Sequence, residues 1–172
     1  MNIPRMLGML TGIAVGLIIA LLIFRFVNRD GKVKTTYDEM QEVYRGRGFR
    51  IGFYTLLIYL ALLMVLDMGG ITLPMEGSVL YFSGIFLGLA VDIIYCMIHG
   101  AYFGINNNAR KYVIVMMFPT LINLAVGIGA FLSGSMFADG RLQTPFINLL
   151  CGILFLIVVI FMAFPKRAEA EE

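Results

Sequence analysis

The chain has 172 residues, 60% of them apolar and 14% charged, with a formal net charge of +2. Soluble domains carry about 25% charged residues, so a mean hydropathy of +0.89 points to the bilayer as solvent and excludes an ordinary soluble fold. The small charge, with no basic patch interleaved with exposed aromatics, argues against nucleic acid as a partner, and the length allows a single transmembrane helical domain over 1–172 with no separate soluble module.

A helix needs about 20 apolar residues to cross a hydrocarbon core about 30 Å thick. Five runs qualify: 6–27, 51–68, 79–104, 112–134 and 146–164. The fold class expected is therefore an all-α integral membrane protein with five transmembrane helices. The first run ends in Phe24-Arg25-Phe26 with no small-residue cleavage site, so it reads as a retained span and not a secretory signal. Gly8, Gly12, Gly16 and Ala20 recur every fourth residue along it. Such a seam lets helices approach closely, within the bundle or between copies of the chain.

Residues 28–50 form the only long loop. The stretch TTYDEMQEVYRGRGFR has the chemistry of a helix start: Thr35 or Thr36 as cap, then Asp38 and Glu39 in the first turn. Tyr37, Met40 and Tyr44 fall on one side. The expectation is an amphipathic helix on the cytoplasmic membrane surface, leading into the second span, with Arg45, Arg47 and Arg50 meeting anionic headgroups. The alternative is a docking surface for a protein partner. The segment YDEMQEVYRGRGFRIGFYTLLIYL resembles one found in uncharacterised small multi-pass membrane proteins of low-GC Gram-positive bacteria, through Tyr37, Asp38, Glu39, Gln41, Arg45, Gly46, Phe49, Gly52 and Phe53. The resemblance covers about a seventh of the chain. It implies a bacterial cell membrane and nothing about chemistry.

The second run, 51–68, is short and spans only if Arg50 and Asp67 sit at its two interfaces, with Gly69-Gly70 ending it. The third, 79–104, offers Gly84, Gly88, Asp92, Cys96, Gly100 and Gly104 at every fourth position, and places Asp92 near its centre. An ionised acid there costs about 2.5–3.5 kcal/mol on insertion scales, so it needs a partner or a purpose. Asp92, Tyr95, Cys96 and His99 share one helical face. The fourth run, 112–134, carries Pro119 and a face of Thr120, Asn123, Gly127 and Ala130. Folding back through Asn106, Asn107 and Asn108 brings Gly88 level with Gly127, and Asp92 level with Asn123. This predicts an Asp92–Asn123 staple between adjacent helices. The fifth run starts on Thr144-Pro145, a cap followed by a first-turn proline.

Lys and Arg positions set orientation. With the N-terminus outside and the C-terminus cytoplasmic, eleven of the 13 basic residues lie on the cytoplasmic side and two outside. Cys96 and Cys151 both sit in apolar runs and read as small packing residues, and the single His, without further clustered ligands, implies no metal or cofactor. No Ser–Lys, Ser–His or paired-aspartate set can be assembled, so no enzyme is expected. Two functions remain. The first is a non-enzymatic accessory, sensor or assembly subunit with Asp92 as a structural staple, acting with a membrane protein partner or as a homo-oligomer. The second is a small transporter or channel component with Asp92 as a proton or cation site and His99 at its cytoplasmic mouth.

Overall fold

The computed structural model describes residues 7–8, 11, 14–19, 21–22, 25, 35–105 and 109–163. The chain divides into two units, Met1–Thr36 and Tyr37–Glu172. In the first unit, every described residue between 7 and 25 is helical; the rest of the run 6–27 lies outside the described residues, as do the asparagine turn and the C-terminal tail.

The described residues of the second unit form four helices and one small hairpin, joined by loops: α1 (Glu39–Met68), α2 (Gly77–Ile98), α3 (Ala109–Leu132), β1 (Phe137–Ala138), β2 (Arg141–Leu142) and α4 (Pro145–Ala163). Among the described residues, four helices are long and apolar enough to cross a membrane, namely α1, α2, α3 from Tyr112, and α4.

Helix α1 begins two or three residues later than the threonines would place it. Asp38 is the cap, because Gln41 completes a capping box. The Gln41 backbone N–H donates to Asp38 Oδ1 at 2.7 Å, and the Asp38 N–H donates to Gln41 Oε1 at 3.3 Å. Glu39 and Glu42 then favour the positive end of the helix dipole. No break separates residues 39–50 from 51–68. The stretch expected as a separate surface helix is the opening three turns or so of α1. Tyr37, Met40 and Tyr44 do not form one packed side: Met40 is 62% exposed, while Tyr44 stacks on His99.

Helix α2 ends at Ile98, six residues before the expected limit. Gly100 takes φ +65, the Ala101 N–H donates to Cys96 O at 2.7 Å, and the Gly100 N–H donates to Met97 O at 3.1 Å. This paired closure needs a left-handed residue, which glycine supplies without Cβ strain. Asp92 consequently lies about 9 Å from the helix end and not midway along the span.

Between α3 and α4 the chain makes an antiparallel hairpin, Phe137 opposite Leu142 and Ala138 opposite Arg141. Asp139 and Gly140, at φ 50 and 70, form its two-residue turn. Leu142 also exchanges backbone hydrogen bonds with the segment before α2, donating to Pro74 O and accepting from the Glu76 N–H, both at 2.9 Å. Val79, Met136 and Leu142 are buried beneath this junction. A second core, Met97, Val158 and Met162, joins α2 to α4 at the opposite end.

The helices pack in the order α1–α2–α4–α3. Helices α2 and α3, consecutive in the chain, are not major packing partners; α3 lies against α4 instead. Bare backbone makes both principal contacts. A Cβ on Gly52 would stand 2.6 Å from Gly88 O, and one on Gly88 would stand 2.9 Å from Gly52 O. A Cβ on Gly127 would meet Leu149 Cα and N at 2.8 Å. Helix association in lipid relies on this kind of approach, since acyl chains are as apolar as leucine.

Candidate functional site

The packing order separates the two halves of the expected polar staple. Asn123 donates its side-chain amide to Pro119 O at 2.8 Å, within its own helix. Thr120, 3% exposed, likewise donates to Met116 O at 2.6 Å. Both serve carbonyls around the proline turn of α3, on the face packed against α4. Gly88 faces Gly52 and Gly127 faces Leu149, so the pairing of 88 with 127 and of 92 with 123 is overturned. Residues pair by height only between helices that pack along their length, and α2 and α3 are not major packing partners.

Asp92 instead faces α1. A Cβ on Gly48 would lie 2.7 Å from Asp92 Oδ1, 2.9 Å from Cys96 Sγ and 3.2 Å from Tyr95 Cδ1. Three side chains of α2 therefore converge on one glycine of α1. The Cys96 thiol donates to Asp92 Oδ1 at 3.4 Å. Gly48 lies between Arg47 and Arg50, so the carboxyl is level with the basic turns of α1 and not with the middle of its apolar stretch.

Beside Asp92 is a cavity of about 200 Å³ lined by Arg45, Phe49, Asp92, Ile93, Cys96 and Tyr102. It carries one cation and one anion. Arg45 rests over the Tyr37 ring, 4.1 Å from guanidinium to centroid. Tyr102 lies in the loop after α2. Burial pushes its phenol above the ordinary value, with Tyr37, Asp92 and Cys96 adding to the rise and Arg45 opposing it. Arg47 and Arg50 are exposed and do not line this cavity.

Tyr95 and His99 stand next to the cleft and not in its lining. The His99 ring stacks on Tyr95 at 4.2 Å and on Tyr44 at 4.5 Å, and its Nδ1 is 2.9 Å from Tyr95 O. This aromatic stack ties α1 to the end of α2. Gln41 adds a polar tie, donating from Nε2 to Gly100 O at 2.8 Å and Phe103 O at 3.1 Å. One side chain thus closes the α1 cap and holds the loop that carries Tyr102. Gln41→Leu removes the three bonds of this side chain, while the backbone N–H of residue 41 still donates to Asp38. We expect a loss of about 1–3 kcal/mol, read as faster amide exchange across residues 100–105.

Sequence reasoning missed Gly48, Phe49 and Tyr102, and placed Arg45 only at the membrane surface. The available signal was Gly48-x-x-x-Gly52, a small-residue pair with the same spacing as Gly84, Gly88 and Asp92. Among the described residues, no group of three His, Cys, Asp or Glu could hold a metal ion. No protein-family model, curated protein or solved structure matches the chain.

Proposed function

We propose that this is a non-enzymatic multi-pass protein of the bacterial cell membrane, an accessory or sensor subunit whose binding element is the α1–α2 cleft. The observation that carries this reading is the pair of opposite charges, Arg45 and Asp92, on one small cavity beside a glycine contact. Such a cleft holds a dipolar group by complementarity at both ends. The basic residues support an arrangement with the start of α1 and the end of α2 on the cytoplasmic side, and with 6–27 as a fifth span that places the N-terminus outside.

A second reading, a small transporter or channel component with Asp92 as a proton or cation site, has one observation in its favour. Asp92 lines a further cavity of about 140 Å³ on the seam between α1 and α2. Proteoliposomes separate the two. For a binding subunit, the purified chain leaves an imposed proton or sodium gradient intact, and Asp92→Asn changes nothing. A gradient that collapses with wild type and is retained with Asp92→Asn would replace the binding reading with the transport one.

A further inference from the structure

We propose that the α1–α2 cleft is a site for a phospholipid whose headgroup ends in a primary amine, with the phosphate at Arg45 and the ammonium at Asp92. The inference rests on the reading of this cleft as the binding element and names its ligand.

Three observations select that chemistry. The cavity of about 200 Å³ presents Arg45, a guanidinium suited to phosphate oxygens, and Asp92, a carboxylate that accepts from ammonium N–H groups. The Tyr102 hydroxyl on the same wall is a further donor. A ligand with only a negative charge would meet the Asp92 carboxylate, and one with only a positive charge would meet Arg45. A zwitterion satisfies both.

The second observation is continuity. Phe49 and Asp92 also line the cavity of about 140 Å³, whose other walls are apolar residues of α1 and α2, including Phe53, Leu56 and Ile85. A soluble zwitterion has no use for this extension, whereas an acyl chain fills it. The Phe49 and Phe53 rings stack 6.4 Å apart beside the seam and are 67% and 49% exposed, an open flank through which a lipid chain can enter sideways.

The third is height. Asp92 meets α1 at Gly48, within the stretch that carries Arg45, Arg47 and Arg50, where the apolar run of α1 gives way to charge. Phosphates lie at such boundaries. Headgroup and tail of one lipid then fall where the polar and apolar cavities are.

The full chain, purified in detergent and stripped of native lipid, is titrated with phosphatidylethanolamine, phosphatidylcholine and phosphatidylglycerol of identical acyl chains and followed by native mass spectrometry. One phosphatidylethanolamine should bind about tenfold more tightly than either of the others, the scale of a charge-assisted hydrogen bond. Choline keeps the charge but loses the N–H donors, and glycerol loses the charge. In Asp92→Asn the preference should fall to parity; in Arg45→Gln all three should weaken. Asp67→Asn, at the far end of α1, should leave the preference intact. Equal binding of the three lipids by wild type, or an unchanged preference in Asp92→Asn, would overturn the proposal. So would soluble phosphoethanolamine binding as tightly as the lipid, or a dimer forming through the cleft in place of lipid uptake. If Asp92→Asn does not fold, Arg45→Gln, altered at an exposed side chain, decides alone. None of these outcomes produces ion flux, so failure here is separable from failure of the binding-subunit reading.

Discussion

Gly52→Val unpicks α1 from α2. The added Cβ would lie 2.6 Å from Gly88 O, and a backbone carbonyl cannot rotate aside as a side chain can. Overpacking of this kind costs about 1–3 kcal/mol, and the immovable neighbour puts the expected loss toward about 3. The effect should appear as a lowered melting temperature in detergent. It should also appear at Cys96, which is 5% exposed and packs against Gly48, one turn before Gly52 on α1. In a Cys151→Ser background, maleimide labelling of Cys96 should rise severalfold as the cleft opens. Gly46→Ala is the control from the same helix. Nothing stands within 4 Å of a Cβ at Gly46, so the change should stabilise α1 by about 1 kcal/mol through helix propensity. A Gly52→Val protein that melts and labels like wild type would refute the α1–α2 contact, and the cleft with it.

Gly127→Val should be comparably damaging, at the other principal contact. Here the obstruction is Leu149 Cα and N at 2.8 Å, again backbone. A loss of about 3 kcal/mol is expected, with α3 separating from α4 while the Asp92 cleft, two helices away in the packing order, keeps its lipid preference. Gly129→Ala, two residues on in the same helix and with nothing within 4 Å, should not destabilise and, as at Gly46, should gain up to about 1 kcal/mol through helix propensity. Equal effects at 127 and 129 would mean that α3 does not pack on α4 as described. A loss of the Asp92-dependent preference in Gly127→Val would instead restore a direct link between α3 and Asp92.

The two contacts show where the sequence was legible. The apolar runs from 51 onward located four helices, because a chain in lipid must satisfy its backbone within each segment. The small-residue periodicity of the third and fourth runs identified faces that are in fact closely packed: Gly84, Gly88 and Cys96 on α2, and Thr120, Gly127 and Ala130 on α3 are all buried. Periodicity names a face and not its partner. The partner of the α2 face is the Gly48–Gly52 edge of α1, within a stretch read for its charges. The Asp139-Gly140 pair is a hairpin signal in its own right, a short polar turn between two apolar runs.

Residue chemistry alone pointed to a bilayer, located four apolar helices from residue 51 onward apart from some of their ends, and showed which positions on them are small, because hydropathy and spacing are properties of one strand of sequence. It could not settle which helix neighbours which. That choice depends on the loops and the β hairpin, which tie the segment before α2 to the segment before α4 and so bring α4, not α3, against α2. Asp92 was therefore visible from the start as a residue needing an explanation. Its neighbour Gly48 and its shared cavity with Arg45 exist only once α1 has packed, since two glycines 36 positions apart in the chain, Gly52 and Gly88, must first meet backbone to backbone.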